Sequence, residues 1–315
     1  MTTTGCASCA DEQAAGAAFC ENCGRQLGDE PACPNCGSGG SVGADGYCES
    51  CGMLAGRPRD HLEADAGAVA AAVTDRGRRH HRNEDAMWLA VRGADVDVVI
   101  SDGVSASFDP DVASQTAVET AGAVLAGGPD VAAAILAAKD AVAALASDGD
   151  PRREASNPAC TIVAAAIRGG DVSVGWIGDS RAYWLPAEGP AEQLTEDDSW
   201  ATHVIALGAD PETAMRDPKA HAITAWLGAD AGPVAPRVGE FTVTAAGHLV
   251  LCTDGLWNYL PDPADFAEIV RAALRSQDTL IDAARALSDL ANEAGGADNI
   301  TVALIPVQRA PARPA

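Results

Sequence analysis

The feature that most constrains this chain is a series of aspartates that border short apolar runs between residues 85 and 298. They are Asp85, Asp102, Asp179, Asp254 and Asp298, and a small or turn-forming residue follows each one. The end of a strand holds a carboxylate rigidly, and carboxylate oxygens are the ligands that Mg²⁺ and Mn²⁺ prefer. Taken singly, each aspartate is explained equally well as a turn or cap residue. Together they predict strands that bring distant carboxylates into one metal site.

The composition excludes several classes of protein. The 315 residues are 47% hydrophobic, which is enough for a sizeable core. The net charge of −24 repels phosphate backbones, so we expect no nucleic-acid partner. No apolar run approaches the roughly 18 residues of a membrane span, and the N-terminus lacks the features of a secretion signal. We therefore expect a cytoplasmic monomer without a membrane partner, and the alanine-rich, lysine-poor composition is typical of a high-GC bacterium.

The chain changes composition near residue 60. Residues 1–52 are rich in cysteine and glycine, residues 53–66 are predicted to be a linker, and a large domain over 67–307 precedes a flexible tail over 308–315. Short apolar runs in the large domain predict the strands Ala68–Thr74, Val96–Ser101, Thr161–Ile167, Val172–Ile177, His248–Cys252 and Ile300–Val307. Longer stretches predict the helices Asp111–Ala126, Asp130–Ala146, Pro263–Arg275 and Gln277–Ala294. Adjacent runs joined by glycines favour antiparallel hairpins, and thus an α+β domain with helices covering a sheet core.

Eight of the ten cysteines form Cys-x-x-Cys pairs near the N-terminus, namely Cys6, Cys9, Cys20, Cys23, Cys33, Cys36, Cys48 and Cys51. Four thiolates complete a tetrahedral Zn²⁺ shell with no open position, so the pairs predict a double zinc ribbon with two structural zinc ions. Pairing in sequence order is the simplest arrangement, and interleaved pairing is the alternative. We expect the ribbons to dock proteins rather than to bind nucleic acid or to act in redox chemistry. Cys160 and Cys252 lie in apolar runs and are predicted to be buried.

Six short motifs follow one another along the large domain, at Asn83–Ala86, Ile100–Gly103, Gly175–Ala182, Leu194–Asp197, Leu251–Leu256 and Ala297–Thr301. In this order and spacing they resemble the metal-dependent protein phosphatases, the type 2C serine/threonine family, over nearly the whole of the domain. The resemblance implies an α+β fold of four layers, an α-β-β-α sandwich of two antiparallel sheets flanked by helices. It also implies bound Mg²⁺ or Mn²⁺ and the hydrolysis of phosphoserine and phosphothreonine in proteins.

The resemblance also implies roles for individual residues. Asp102 would bridge two metal ions, and the carbonyl of Gly103 would bind one of them. Asp254 and Asp298 would hold the other ion, and Asp85 would contact the first through water. A hydroxide between the metals would then attack phosphorus in line, without a cysteine nucleophile. Three further matched residues are expected to shape the surroundings of the site, namely Asp179, Arg181 and Asn299.

One departure from the family concerns the grip on the substrate phosphate. The family usually has an arginine five residues before the aspartate of the first motif, and here that position is His80. An imidazole cannot reproduce the bidentate fork of arginine. Either His80 contacts the phosphate as a cation or donor, or a neighbouring Arg79 or Arg82 takes over. The alternative is that His80 is only a surface residue of a basic turn.

Other departures lie at the mouth of the expected site. Val104–Ser107 replaces the usual glycine-rich stretch, and Asp198 stands where a histidine is common. Ser156 or Asn157 occupies the place of an aspartate that holds a third metal in some members, so we expect a weakly held third metal or none. These changes predict a lower turnover.

We therefore expect a protein serine/threonine phosphatase that takes part in signalling. Its partners would be phosphoprotein substrates and a cognate serine/threonine kinase or the targets of that kinase. The alternative is a weakly active or inactive regulatory protein on the same fold, which the change at His80 and the altered loop favour. A nucleic-acid-binding zinc-ribbon protein is the third hypothesis, which the net charge of −24 disfavours.

Overall fold

The computed structural model describes residues 33, 36–39, 42–43, 46–53 and 55–309. The chain divides into two compact units, Met1–Pro58 and Arg59–Ala315. The first two cysteine pairs lie outside the described residues, as does most of the predicted tail. The four cysteines concerned are Cys6, Cys9, Cys20 and Cys23.

Two antiparallel sheets form the centre of the second unit. In chain order, the strands β1 to β11 are His61–Asp65, Ala71–Asp75, Ala86–Arg92, Asp95–Ser101, Ile162–Arg168, Asp171–Ile177, Arg181–Pro186, Glu192–Gln193, Arg237–Thr242, Gly247–Cys252 and Ile300–Val307. One sheet has six strands in the order β1-β2-β11-β10-β7-β8, and the other has five in the order β3-β4-β5-β6-β9.

Helices cover the outer faces of both sheets. The helices α1 to α8 are Pro110–Gly127, Val131–Ala144, Pro151–Ala155, Trp200–Ala206, Pro211–Met215, Asp254–Trp257, Pro263–Ser276 and Leu280–Glu293, with short 3-10 turns at Pro58–Asp60 and Leu145–Ser147. Helices α1 and α2 pack on the five-stranded sheet, and α7 and α8 pack on the six-stranded sheet. The predicted α-β-β-α sandwich is thus confirmed.

The central strands are apolar on both faces because each face meets another layer. On β4, Val98 and Ile100 pack against the other sheet, while Val99 packs against the helices α1 and α2. On β11, Ala303 faces the other sheet and Leu304 faces the helices α7 and α8. Side chains alternate between the two faces of a strand, so a strand buried on both faces has a continuous apolar run. For this reason the sequence predicted β4, β5, β6, β10 and β11 closely.

The predicted boundary of the domain differs from the structure. Strand β1, His61–Asp65, pairs with β2 but lies inside the predicted linker of residues 53–66. Four further strands, β3, β7, β8 and β9, were also not predicted. Strand β9 is an edge strand that is exposed over much of its length, and it contains a glycine and three charged or polar residues. Such a strand has no apolar run to identify it.

The starts of the helices agree with the prediction only in part. Asp130 caps α2 by accepting the N–H of Ala133 at 2.9 Å, as the sequence indicates. Helix α1, by contrast, begins at Pro110 rather than at Asp111. Helix α8 begins at Leu280 behind the cap Thr279, three residues later than predicted.

The chain between β8 and β9 carries the helices α4 and α5, which the sequence analysis did not predict. They enclose a small apolar cluster of their own, formed by Ala201, Ala214 and Ala220. Both helices are short, at seven and five residues, so they show little periodicity. Across the described residues, no helix is long and apolar enough to cross a membrane.

Gly122 provides a test of the packing between α1 and the five-stranded sheet. A Cβ at this position would lie 2.4 to 2.6 Å from ring atoms of Trp88 on β3. Alanine normally favours a helix by about 1 kcal/mol over glycine. At this position we expect Gly122→Ala instead to lower the free energy of unfolding by about 1 to 3 kcal/mol, because the core is overpacked. Urea unfolding measures the change.

Gly127 is the matched control, because it lies at the end of the same helix and an added Cβ would meet nothing within 4 Å. Gly127→Ala should therefore leave the free energy of unfolding unchanged or raise it slightly. Equal stabilities of the two variants would contradict the tight contact between Gly122 and Trp88.

Candidate functional site

The five aspartates lie at strand ends. Asp85 directly precedes β3, Asp102 directly follows β4, Asp179 follows β6, Asp254 begins α6 just after β10, and Asp298 precedes β11. Each aspartate therefore lies where the chain enters or leaves a sheet, and the adjoining strand holds its backbone in place. All five aspartates lie beside strands, as the sequence predicts.

Antiparallel pairing brings these strand ends together at one end of each sheet. Ala86 at the start of β3 pairs with Ser101 at the end of β4. In the other sheet, Cys252 at the end of β10 pairs with Val302 near the start of β11, and with Arg181 at the start of β7. In an antiparallel pair the start of one strand meets the end of the next. The aspartates are thus gathered from distant parts of the chain.

Asp85 is buried and links the two sheets. Asp85 is 1% exposed, and its Oδ2 accepts the hydroxyl of Thr253, which follows β10, at 2.8 Å and that of Thr301 in β11 at 2.7 Å. Its Oδ1 is buried and has no hydrogen-bond partner among the described residues. Burial, together with the charges of Asp298 and Asp254, raises the pKa of Asp85 to about 8. The carboxyl is fixed in place, with one oxygen unsatisfied.

Asp254 and Asp102 have adjoining carboxyl groups. Oδ2 of Asp254 accepts the side-chain amide of Asn258 at 3.0 Å, while its buried Oδ1 has no partner within the described part of the chain. Burial and the charge of Asp298 raise the pKa of Asp254 to about 7. Burial, followed by the charges of Asp85 and Asp254, raises the pKa of Asp102 well above its usual value. Such mutual repulsion indicates a place for a cation.

The glycines that follow two of these aspartates are required by close packing. A Cβ on Gly103 would lie 2.6 Å from the carbonyl oxygen of Pro110 and 2.7 Å from that of Glu84. A Cβ on Gly255 would lie 1.9 Å from the carbonyl oxygen of Asn299. The two Asp-Gly pairs therefore let the backbone pass so closely that neighbouring motifs meet. This contact brings α6 against the turn that carries Asp298.

Asp298 lies at the rim of the cluster. Its side chain is 39% exposed, and its Oδ1 accepts the N–H of Asn299 at 2.8 Å. Nε2 of His80 lies 3.1 Å from the same oxygen, and Nδ1 of His80 lies 3.9 Å from Oε2 of Glu84. The ring of His80 is therefore directed at carboxylates of the cluster.

Asn299 fastens the turn that contains His80. It is 2% exposed, and its Oδ1 accepts the N–H of Glu84 at 2.7 Å. Its Nδ2 donates to the carbonyls of Arg76 at 2.7 Å and Arg82 at 2.9 Å. One side chain thus ties the first motif to the last motif, and holds both beside Asp298.

The two arginines expected to help bind phosphate lie on the same turn. Arg79 is exposed, and its N–H donates to the carbonyl of Gly296 at 3.1 Å, while Arg82 is half-buried. Neither guanidinium forms a hydrogen bond or an ion pair with a described residue.

Asp179 and Arg181 brace the helix that begins with Asp254. The carbonyl of Asp179 accepts Nε1 of Trp257, the last residue of α6, at 3.0 Å. Arg181 makes a bidentate pair with Asp197, at 2.7 and 2.9 Å, and its guanidinium lies 3.5 Å above the Trp257 ring. Burial, then the charges of Asp254 and Asp197, raises the pKa of Asp179. These contacts fix the orientation of α6.

Sequence reasoning missed the hydroxyl groups that hold Asp85. Besides Thr253 and Thr301, Thr74 contributes, since its Oγ1 lies 2.7 Å from that of Thr301. Nδ2 of Asn83 donates to Thr74 at 2.9 Å and completes the buried chain. Thr253 adjoins Asp254 and Thr301 ends the last motif, but threonines beside a motif are too common to predict this network.

Glu84 was also missed as part of the cluster. Its Oε2 accepts the hydroxyl of Ser105 at 2.5 Å, in the loop that replaces the glycine-rich stretch. Burial raises the pKa of Glu84; the hydrogen bond from Ser105 and the charge of His80 oppose that rise, and Asp298 adds to it. The sequence could have indicated this role, because Glu84 belongs to the first motif and directly precedes Asp85.

The remaining departures have local structural partners. Oδ2 of Asp198 accepts the N–H of Gly178 at 2.9 Å. Nδ2 of Asn157 donates to the carbonyl of Arg153 at 2.8 Å, and Ser156 is the C-cap residue that follows α3. In this arrangement Asp198 and Asn157 stabilise the turns in which they lie.

The first unit contains a cluster of cysteines. The ligand atoms of four residues all lie within 4.8 Å of one another, and these residues are Cys33, Cys36, Cys48 and Cys51. The Sγ atoms of Cys33 and Cys51 are 3.8 Å apart, and those of Cys36 and Cys48 are 3.6 Å apart. A tetrahedral zinc with Zn–S bonds of about 2.3 Å separates its sulfurs by about 3.8 Å. The four thiols therefore match the dimensions of one zinc site.

The backbone supports this cluster with two equivalent turns. The N–H groups of Gly37 and Gly52 each donate at 2.7 Å, to the carbonyls of Cys33 and Cys48 respectively. Both glycines have positive φ angles, of 72° and 70°, which suit residues without a Cβ. Among the described residues, no other group of three or more histidine, cysteine or carboxylate ligands is gathered this tightly. The carboxylates of the aspartate cluster are spread more widely.

The two antiparallel sheets flanked by helices agree with the fold that the sequence motifs imply. The model of the protein phosphatase 2C family matches residues 74–290. The chain therefore belongs to this family and is a serine/threonine phosphatase.

Individual relatives agree with this assignment. The serine/threonine phosphatase stp of Listeria innocua is 31% identical over 247 residues, which cover 74% of this chain and 93% of the relative. A Streptococcus agalactiae serine/threonine phosphatase structure superposes with a TM-score of 0.64 at 28% identity, covering 78% of this chain and all of that one. The catalytic domain of the phosphatase PstP, solved with two manganese ions, gives a TM-score of 0.61 at 27% identity, covering 76% of this chain and 98% of that one.

The raised pKa values predict how stability depends on pH. The pKa values of Asp85 and Asp254, about 8 and about 7, exceed the ordinary value of 3.8. Between about pH 4 and 8 the folded state therefore binds more protons than the unfolded chain. In protein freed of Mg²⁺ and Mn²⁺, the free energy of unfolding should fall with rising pH, by up to about 1.4 kcal/mol per pH unit for each proton. Urea unfolding from about pH 5.5 to 8.5 measures this slope.

Asp254→Asn is the matched variant for this measurement. It removes one titrating group and also a charge that raises the pKa of Asp85, so its slope should be shallower. Saturating Mg²⁺ should flatten the slope of the unmodified protein, because a bound cation favours the ionised carboxylates. A slope as steep in Asp254→Asn as in the unmodified protein would show that these groups do not cause it.

Proposed function

We propose that this chain hydrolyses phosphoserine and phosphothreonine in proteins, with two Mg²⁺ or Mn²⁺ ions held by the aspartate cluster. The observation that carries the proposal is the pair of buried, unsatisfied carboxylate oxygens, Oδ1 of Asp85 and Oδ1 of Asp254. A buried polar atom without a partner is costly, and a cation would satisfy both oxygens.

The donor set suits hard divalent ions. Asp102 adjoins Asp254 and feels the charges of Asp85 and Asp298, so it is the residue we assign to bridge two ions. The carbonyl of Gly103 would bind one ion, Asp254 and Asp298 the other, and Asp85 would act through water. When bound, the ions supply a hydroxide nucleophile at neutral pH and neutralise the charge of the phosphoryl group.

The residues of the chain supply positioning and charge around these ions. Thr253 and Thr301 hold Asp85 in one orientation through their hydroxyls. Arg79 and Arg82 provide guanidinium groups on the turn beside Asp298, and we propose that one of them binds the substrate phosphate. A guanidinium there stabilises the negative charge that develops on the phosphoryl oxygens.

One observation favours the second candidate function, a weakly active regulatory protein that binds phosphopeptides on this fold. His80 replaces the usual phosphate-binding arginine and faces Asp298 and Glu84. If neither Arg79 nor Arg82 reaches the phosphate, the protein binds metal but turns over slowly. Turnover of a phosphothreonine peptide separates the two functions.

We also propose that the cysteines hold structural zinc. One zinc would be bound by the second pair of Cys-x-x-Cys motifs, whose sulfur distances fit, and a second zinc by the first pair, which lies outside the described residues. Because a shell of four thiolates is closed, these ions would stabilise the unit rather than take part in hydrolysis. The acidic composition favours docking of a phosphoprotein or its kinase over nucleic-acid binding.

Asp102→Asn tests the proposed catalytic centre. Loss of the bridging charge should reduce Mn²⁺-dependent release of phosphate from a phosphothreonine peptide by at least about 100-fold, and calorimetry should show weaker Mn²⁺ binding. Asp140→Asn, the same substitution at an exposed position on α2, should leave both measurements unchanged. Full activity of Asp102→Asn, or of the unmodified protein after removal of divalent ions, would contradict the proposal.

Elemental analysis of desalted protein tests the zinc sites. We expect two zinc ions per chain in the unmodified protein and one in Cys36→Ser, because three thiolates and a hydroxyl no longer make a closed shell. Cys160→Ala removes a buried thiol of the second unit and should keep both zinc ions. Zinc retained in full by Cys36→Ser would exclude this cysteine as a ligand.

A further inference from the structure

His80 is held within the carboxylate cluster. Both of its ring nitrogens point at carboxylates, Nε2 at Oδ1 of Asp298 (3.1 Å) and Nδ1 at Oε2 of Glu84 (3.9 Å). The side chain is only 24% exposed, and Asn299 fixes the backbone on both sides of it through Arg76 and Arg82. A side chain fixed in this way does not extend toward a substrate.

One oxygen of Asp298 is contacted from two sides. Oδ1 accepts the N–H of Asn299 at 2.8 Å and lies within hydrogen-bonding distance of Nε2 of His80. Within the described part of the chain, Oδ2 forms no hydrogen bond and no ion pair. The two contacts therefore restrain Oδ1 and leave Oδ2 open to an ion. Without His80, a side chain that is 39% exposed would have one restraint fewer and more rotational freedom.

We infer that His80 is a positioning residue for the metal centre, which donates from Nε2 to Asp298 so that Oδ2 meets the ion, and that it is not the group that grips the substrate phosphate. The identity of the ion rests on the proposed function. Hydrogen bonds to a metal-binding carboxylate from outside the coordination shell typically raise metal affinity about 10- to 100-fold. A single directed donor such as imidazole suits this task, whereas the fork of arginine suits a phosphate.

The charges around His80 agree with this role. The ring of His80 lies beside two carboxylates of the cluster, those of Asp298 and Glu84. The phosphate contact then falls to Arg79 or Arg82, whose guanidinium groups are unpaired among the described residues.

Two variants and two measurements test the inference. His80→Leu removes the donor, and His80→Gln keeps an amide N–H at a similar distance from the backbone. We expect His80→Leu to raise the Kd for Mn²⁺, measured by calorimetry without substrate, by about 10- to 100-fold. His80→Gln should raise it by less than about threefold. At saturating Mn²⁺, the Ki of inorganic phosphate as a competitive inhibitor should change by less than about twofold in both variants.

The opposite pattern would overturn the inference. If His80→Leu left the Kd for Mn²⁺ unchanged and raised the Ki of phosphate, His80 would be the phosphate grip. A double-mutant cycle with Asp298→Ala gives a second check, because His80→Leu should weaken Mn²⁺ binding little further once Asp298 is absent. Equal weakening with and without Asp298 would show that His80 does not act through it. Absence of Mn²⁺ binding in the unmodified protein would instead reject the proposed metal centre itself.

Discussion

The repulsion between buried carboxylates is the interaction on which the rest of the structure depends. Burial raises the pKa values of Asp85, Asp102 and Asp254 and prevents water from screening their charges. The charge of Asp298 adds to the rise at all three residues, and the charge of Asp254 adds to it at Asp85 and Asp102. Carboxylates left to themselves would move apart. The scaffold must therefore hold each of them from outside the cluster, and the sheets, the threonines and Asn299 all serve this purpose. A cation changes the sign of the interaction, because the same charges then attract a shared ion.

The contacts that hold the carboxylates also join the two sheets. Asp85 enters the five-stranded sheet, yet its hydroxyl donors, Thr253 and Thr301, follow β10 and begin β11 in the six-stranded sheet. Asn299 adds a second connection, from the start of β11 to the turn before β3. The sandwich is thus fastened at the edge where the carboxylates gather. A change in the packing between the sheets would alter the distances between the proposed ligands. Gly103 and Gly255 allow this close packing, because a Cβ at either position would clash with a backbone carbonyl.

The sequence predicted the parts of this arrangement that local chemistry determines. Strands β4, β10 and β11 have apolar runs because both of their faces are covered, and the motif aspartates are found at the ends of those runs. Strands β1 and β9 were missed because edge strands lack such runs. The grouping of Asp85 with Asp298 depended on the order of the motifs, since strand register across distant segments cannot be read from periodicity. The contact between His80 and Asp298 could not be predicted for the same reason, because the two residues are far apart in the chain. The orientation of Asp298 also depends on its hydrogen bond with Asn299.

Position 80 is a histidine where the family usually has an arginine. On the roles proposed above, His80 positions Asp298, and a neighbouring arginine of the same turn binds the phosphate. An arginine side chain is longer, and its guanidinium fork suits a phosphate. His80 is shorter, and its ring lies between Asp298 and Glu84. The positive charge for a phosphate then comes from side chains one or two positions away, which are not paired with described residues and extend from a backbone fixed by Asn299. On the proposed roles, rigid contacts favour metal binding, whereas an arginine that binds phosphate loses conformational entropy when it becomes ordered. On this division, a low turnover would reflect the phosphate contact rather than a defect in the metal centre.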